Sequence, residues 1–493
     1  PKNSYLVFNA SNPEDCLYGN AVNFCQDCCD NSHISKCEKC YQGFWLTACN
    51  NCHFSSQCEN CFDLWFSKNC VGCSNCFGCA GLKNKSYCVW NKQYAKEEYV
   101  AILKSYNLGS YAGIQELKNK AEAFWLKFPV KFREGSHNLN VSGNYINHCK
   151  NVRDSFLVRE CENMRYCQYV QEPPGSKDCY DYSIWGDSNQ LVYECHASGI
   201  GLYNVKFCLF AQENSKDLEY CLICQSSSDL FGCVSLRKKQ FCILNKQYSE
   251  SEYRELTAKI RQQMSDLPYV DSQGRVYKYG EFLPIEMSPF GYNETMAQEY
   301  FPLTKEEALA QGYRWRDTAE RDYRVTLPQE KLPDRIDEVP DSITAEIISC
   351  AHASLDSIPR LSASIPRYSA SCNQLCTTAF KIIPAELQFY RKIGLPLPRL
   401  CPNCRTFERL KQRIGLKVYP RTCQCAGKEA RSDPRYAEGS SEARERRAMS
   451  EKYQNTAGHF HGSGPCPSEF ETTYSPDRPE IVYCESCYQA EVA

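Results

Sequence analysis

Small and aliphatic side chains recur at every third position from Cys16 to Asn91. The series opens Cys16, Gly19, Val22, Cys25, Cys28, Asn31, Ile34, Cys37, Cys40, Gly43, Leu46, and continues through Leu64, Leu82 and Cys88. Every cysteine of the region except Cys29 falls on this frame, and polar residues and aromatics fill the positions between. A twelve-residue period is superimposed. Cys25, Cys37, Cys49, Cys61 and Cys73 form one column; Cys16, Cys28, Cys40, Cys52, Leu64, Cys76 and Cys88 a second; Val22, Ile34, Leu46, Cys58, Cys70 and Leu82 a third. A fixed repeat of this length marks a stacked architecture whose units share one core. The pattern predicts a narrow parallel β-helix of about 12 residues per coil, with coils ~4.8 Å apart and about four side chains per coil pointing inward.

The spacing resembles, in geometry alone, the twelve-residue coils of insect antifreeze solenoids. A coil so thin admits only small side chains, and a thiol packs as a small hydrophobe. Inward residues six apart, such as Cys52 and Cys58, would face each other, yet a reducing compartment keeps them as thiols. The competing reading is a metal array, because Cys37/Cys40, Cys49/Cys52, Cys58/Cys61 and Cys70/Cys73 all have knuckle spacing. Ile34, Leu46, Leu64 and Leu82 at frame positions favour the core, since none can ligate a metal.

A second copy follows. "FGCAGLKNKSYCVWNKQYAKEEY" from Phe77 matches "FGCVSLRKKQFCILNKQYSESEY" from Phe231, and the frame returns at Cys149, Cys161 and Cys167 and again at Cys221, Cys224 and Cys233. It slips around Pro173-Pro174-Gly175. Each copy ends in Asn-Lys-Gln-Tyr and a helical pattern that would cap the last coil against edge pairing. Outward aromatics also align by twelve: Tyr41, His53, Trp65 and Phe77, beside Phe54 and Phe66. Either the helices of residues 95–127 cover this ladder, or it is an exposed protein-binding stripe.

Toward the carboxyl end the cysteine spacing changes meaning, because the frame of three is absent. Cys401/Cys404 and Cys484/Cys487 are CxxC knuckles, and each is preceded by a Cys-x-x-x-Phe segment, Cys376 to Phe380 and Cys466 to Phe470. Four cysteines from separated chain positions suit a closed tetrahedral zinc. The expected ligand sets are Cys350, Cys376, Cys401, Cys404 for one structural zinc and Cys423, Cys466, Cys484, Cys487 for a second. Cys372 and Cys425 are alternates to Cys350 and Cys423, and His352, His459 and His461 are further candidates. Closed all-cysteine sets leave no open position for catalysis.

Between the knuckles, residues 391–428 hold ten Lys or Arg and one acid. Arg405, Arg409, Lys411, Arg413, Lys417 and Arg421 would contact phosphates of RNA or DNA; alternatively they offset the −2 charge of a four-thiolate zinc. The 493-residue chain has a net charge of −2 and 35 cysteines, fifteen before residue 91, ten at 149–242 and ten at 350–487. In a chain this long that cysteine usage favours metal ligands and free thiols in a reducing cytoplasm over a secreted disulfide framework. No apolar run approaches the roughly 18 residues of a membrane span. No signal-peptide pattern is present, and Pro1 in place of methionine leaves room for residues upstream.

The motifs "FGCAGLKNKSYC" with "NKQY", "SPFGYNET", "LPLPRLCPNCR" and "TTYSPDRPEIVYCESCY" resemble a family of uncharacterised cysteine-rich zinc-ribbon proteins of uncultured small-genome bacteria. The resemblance covers nearly the whole chain; it implies zinc ribbons, a further ribbon-like segment ahead of Pro1, and no particular activity. The expected fold is mainly β with α, a duplicated narrow parallel β-helix with capping helices plus two C-terminal zinc ribbons. Its expected parts are 1–91 and 137–246 (the two solenoid copies), 92–136 (helical cap), 247–346 (capping helix, small mixed region and acidic linker), 347–405 and 406–493 (the ribbons). The expected role is a non-enzymatic scaffold whose ribbons bind a nucleic acid or a ribonucleoprotein. The alternative is a protein-interaction scaffold using the aromatic ladder. Weaker alternatives are an enzyme with its site between solenoid and ribbons, and thiol-based metal storage. No small-molecule substrate is indicated.

Overall fold

The frame of three is a backbone repeat. From Asn3 to Trp90 every third residue, without exception, has φ between +49° and +68°. Each such corner is followed by an inward residue and then an extended one, so four corners turn the chain through one twelve-residue repeat. The left-handed region is reached at little cost by Gly, Asn and Asp, and Asn9, Asn12, Asp15, Asp27, Asp30, Asn51, Asn60, Asp63, Asn69, Gly72, Gly78 and Gly81 occupy corners.

This computed structural model describes residues 1–172, 174–317, 324–352, 376–427, 453, 455–462 and 464–492. It is a mixed α/β structure with several sheets. Successive strands of the first stack, among them Leu17–Asn23, Ser32–Ser35, Phe44–Thr47 and Ser56–Glu59, pair in parallel at an offset of twelve. Val22 lies beside Ile34, Ile34 beside Leu46 and Leu46 beside Cys58. A second run of strands puts Cys52 beside Leu64, Leu64 beside Cys76 and Cys76 beside Cys88. These are two of the columns read from the sequence, and they form one buried cluster. Each inward thiol donates to the carbonyl two residues back, as Cys58 does to Ser56 at 3.3 Å. Ser55 and Ser67 on the same frame do likewise with His53 and Trp65, both at 3.0 Å. Gly43 has no side chain because Asn31 fills its place: an added Cβ would lie 2.8 Å from Asn31 Oδ1, which accepts the Gly43 N–H.

The second stack explains the slips. Its offset is twelve at Gly143/Ser155, fifteen at Gln168/Ser183 across the Pro173-Pro174-Gly175 insertion, thirteen at Gln190/Tyr203 and Tyr203/Lys216, and twelve again at Ser228/Gln240. The thirteenth residue is absorbed by a double corner, Ile200–Gly201 or Glu213–Asn214, in which both residues have positive φ.

Both stacks end alike. Trp90–Asn91 and Leu244–Asn245 have positive φ at both positions, as a type I′ hairpin requires. The chain then returns antiparallel, Lys92–Gln93 on Ser86–Val89 and Lys246–Gln247 on Gln240–Ile243. The terminal asparagine side chain acts as one more strand residue: Asn91 accepts the Ala80 N–H and donates to the Ala80 carbonyl, each at 2.8 Å, and Asn245 does the same with Val234. Replacing Asn91 by alanine removes both bonds and puts alanine in a left-handed corner. Urea titration is expected to show a loss of about 1–2 kcal/mol, and a smaller one for Asn245→Ala at its exposed position.

Helices α1 (Lys96–Ser105) and α2 (Tyr111–Trp125) lie against the first stack, burying Tyr99, Ile114, Leu117 and Ala121 with Phe66, Phe77 and Val89. Helix α3 (Glu250–Asp266), opened by the Ser249/Glu252 capping box, packs Tyr253 on Phe231 and Ile243 of the second stack. The stacks meet side by side: Trp45 stacks on Tyr145 at 4.7 Å, and His33 on Tyr169 at 6.2 Å. Near the carboxyl end lie α4 (Pro384–Ile393), α5 (Pro402–Leu410) and α6 (Glu485–Val492). Proline in the first turn, where no backbone N–H is needed, starts α4 and α5.

No disulfide joins the described cysteines, and all but half-buried Cys376 are buried. The frame thiols are shielded from solvent and each is tied to a backbone carbonyl, which keeps them from reagents. Thiol titration of the native zinc-loaded protein is therefore expected to leave the frame cysteines unmodified, whereas the denatured, chelated chain reacts at 35.

Candidate metal centres

The first centre forms where a two-strand ribbon meets a helix start. Ile348–Ser349 pairs antiparallel with Ala379–Phe380, which brings Cys350 and Cys376 together, and the entry to α5 supplies Cys401 as N-cap and Cys404 in its first turn. The four sulfurs all lie within 4.8 Å of one another, and Cys376 and Cys401 are 4.0 Å apart. Zn–S bonds of ~2.3 Å at tetrahedral angles place sulfurs ~3.8 Å apart, so the set fits a structural zinc. Backbone N–H groups already point at the sulfurs, Cys401 to Cys350 at 3.2 Å and Thr378 to Cys376 at 3.3 Å. Such donors stabilise thiolates and orient the ligands.

The second centre repeats the plan. Tyr419–Thr422 pairs antiparallel with Glu469–Thr472, and Ile481–Tyr483 leads into α6. Cys423, Cys466, Cys484 and Cys487 converge within 4.8 Å, with Cys466 and Cys484 at 3.9 Å and the Cys484 N–H on Cys423 at 3.2 Å. Ile481–Tyr483 also pairs in parallel with Pro129–Lys131, a strand just ahead of the second stack that the sequence did not reveal. Of the alternates, His352 lies 3.5 Å from Glu408, outside the first cluster, and Cys372 lies outside the described residues. Cys425, His459 and His461 gather with Cys487 as a third group within 4.8 Å.

Three of the six residues expected to contact phosphate are buried. Arg405 and Arg409, one turn apart on α5, enter a buried site with Asp30 of the first stack. Arg405 Nη1 meets Asp30 at 2.6 Å and Glu386 at 2.9 Å, and Arg409 Nη1 meets Asp30 at 3.0 Å. Tyr18 donates to Glu386 at 2.8 Å, and burial raises the Glu386 carboxyl above its ordinary value while Arg405 opposes the shift. Both arginines and both acids are at most 4% exposed in their side chains. Arg413 is buried against Tyr300 and Glu299 between the stacks. The expectation that Arg405, Arg409 and Arg413 contact nucleic acid is therefore corrected: all three are buried, and Arg405 and Arg409 are paired with two buried carboxylates. Arg421 donates to the Tyr474 and Ser475 carbonyls, and Lys411 pairs with Glu408. Lys417 is exposed, and Lys428 lies outside the described residues.

The aromatic ladder is covered by the chain itself. Tyr41 packs on Phe389 and Tyr390 of α4, Phe77 stacks on Tyr106 at 4.5 Å, and Trp125 donates to the Phe66 carbonyl at 3.1 Å. Tyr41, His53, Phe54, Phe66 and Phe77 are buried and Trp65 is half-buried, so most of this ladder is unavailable to a partner. Cys29, the one cysteine off the frame, belongs to this outer cluster.

A cleft of about 960 Å³ separates the first stack from the C-terminal modules, lined by Lys68, Lys83, Lys85, Trp125, Glu408, Lys411, Arg478 and Glu480 among others. Among the described residues its lining includes no histidine, serine or cysteine. No described helix is long and apolar enough to cross a membrane.

No family model matches the chain, and no curated protein matches it. Nothing therefore ties it to the family its motifs resemble; what the structure shows of that resemblance is the cysteine clusters. Among solved structures, one from Desulfovibrio desulfuricans G20, described as an acetyltransferase by assignment only, matches over 55% of this chain and 74% of its own. Identity is 11% and the TM-score 0.14, which supports no inference.

Proposed function

We propose that this chain is a non-enzymatic scaffold in which residues 1–93 and 135–247 are two closed β-solenoids, locked side by side by a zinc-structured carboxyl-terminal part. The supporting observation is the Asp30–Arg405–Glu386 site. It lies beside Cys404 in sequence, so a metal that fixes the start of α5 also fixes the two arginines that dock on the first solenoid. Closure of the first solenoid is supported by the uninterrupted corner at every third residue from Asn3 to Trp90, and that of the second by the same corners with extra ones where its repeat lengthens. Each solenoid then ends in its Asn-capped hairpin and helix, 92–136 and 247–346 hold the caps and connections, and 347–405 and 406–493 hold the zinc modules. Free thiols and thiolate-held zinc suit a reducing cytoplasm. A nucleic-acid contact through residues 391–428 has lost its main carriers, because Arg405, Arg409 and Arg413 are buried.

Hydrogen exchange of the full chain with and without a zinc chelator tests this reading. Chelation is expected to deprotect residues 376–427 and 464–492 while the stacked strands of 16–93 and 143–247 stay protected. Unchanged protection of the carboxyl-terminal segments, or loss throughout the chain together, would overturn it.

A further inference from the structure

We propose that the C-terminal module holds two zinc ions rather than one, joined through the Cys487 thiolate. This rests on the reading that Cys423, Cys466, Cys484 and Cys487 bind zinc. The second ion would take Cys425, His459, His461 and Cys487, so Cys487 belongs to both sets, and within each set every ligand atom lies within 4.8 Å of the others.

The distances suit the metal. Bond lengths of ~2.3 Å to sulfur and ~2.05 Å to nitrogen at tetrahedral angles place the two donors ~3.6 Å apart. Cys425 Sγ is 3.6 Å from His459 Nδ1, and Cys487 Sγ is 3.3 Å from His461 Nε2.

The supporting groups select which nitrogen of each ring is available. His459 Nε2 lies 2.8 Å from the Glu491 carboxylate, and His461 Nδ1 lies 2.7 Å from the Gly464 carbonyl. Each of those partners is an acceptor, so it takes the ring N–H and leaves the opposite nitrogen with a free lone pair, Nδ1 on His459 and Nε2 on His461. These are the two nitrogens that face the cysteines. Ligating histidines characteristically hand their other N–H to a carboxylate or carbonyl in this way. Glu491 follows Cys487 by one turn of α6 and also accepts the Thr456 and Ala457 N–H groups, which holds the histidine loop in place. Asn455 donates to Cys425 Sγ at 3.2 Å.

Charge favours the pair as well. A lone four-thiolate zinc carries about −2, whereas two zinc ions with five thiolates and two neutral imidazoles carry about −1. Binding the second ion releases the Cys425 proton to water and changes no oxidation state.

The full chain, purified and loaded with zinc, is expected to contain three zinc ions by elemental analysis, one in the Cys350 set and two here. Loaded with 113Cd, it should give three cadmium resonances, two of them split by mutual coupling through the shared sulfur. Cys425→Ser and His461→Ala should each lower the count to two and abolish the splitting. Two ions per wild-type chain, or three unsplit resonances, would overturn the bridge. The deprotection on chelation expected of the scaffold would stand in either case.

Discussion

Asp30→Asn is expected to lower stability by about 3 kcal/mol, measured as a shift in the urea midpoint of the transition that releases the carboxyl-terminal part. The wild-type site balances Asp30 and Glu386 against Arg405 and Arg409 with all four side chains out of water. Removing one carboxylate leaves two buried guanidiniums to one acid, and an uncompensated buried charge costs about 3–5 kcal/mol. Asparagine keeps the side-chain shape and tolerates the left-handed corner that Asp30 occupies at φ 55°, so the loss reports charge and not backbone strain. Adding Arg409→Met should recover part of it by restoring balance. A shift under about 1 kcal/mol, or no recovery in the double variant, would mean that the site does not hold the module in place.

Cys404→Ser and Cys73→Ser are the same substitution at the same CxxC spacing, and their expected effects differ widely. Cys73 is a frame residue whose thiol donates to the Val71 and Leu82 carbonyls. Serine already serves at frame positions with the same bond, as at Ser55 and Ser67, so Cys73→Ser should cost about 1 kcal/mol and leave the zinc content unchanged. Cys404→Ser removes one of four ligands. Structural zinc contributes on the order of 10–16 kcal/mol of binding free energy in small modules, and a three-ligand site forfeits a large share of it. The expected result is loss of one zinc per chain and a melting temperature that depends on added zinc. Equal effects of the two substitutions on zinc content would return the stack cysteines to the role of metal ligands.

The stacked strands were legible because a strict period survives in the side chains: Ile34, Leu46 and Leu64 mark which face is inward. A second signal lies at the corners. Asn, Asp and Gly crowd the position just before each frame residue, as at Asp15, Asp27, Asn60, Asn69 and Gly78, and that bias identifies the left-handed corners. The slips in the second copy carry the same mark, since each extra residue adds a second corner, Gly201 after Ile200 or Asn214 after Glu213. The cysteine quartets were visible from knuckle spacing, and the structure brings each together. The destination of the arginines was not visible. Arg405 meets Asp30 across 375 residues, and nothing local in "CRTFERLKQR" separates an arginine that faces a phosphate from one that faces a distant carboxylate. The strand pairing of 129–131 with 481–483 was hidden for the same reason.

That separation also sets an order of assembly. Strand contacts in the stacks join residues 12 to 15 apart, and such short closures form early and quickly. Asp30 and the outer face around Tyr18, Tyr41 and Phe54 must wait until α4 and α5 have been synthesised and their metal site has closed. For that interval a finished stack displays a bare aromatic face with an unpaired acid at its centre. A nascent chain halted before residue 376 is thus expected to be protease-resistant in its strands yet prone to self-association, a property the completed protein loses when Arg405 arrives.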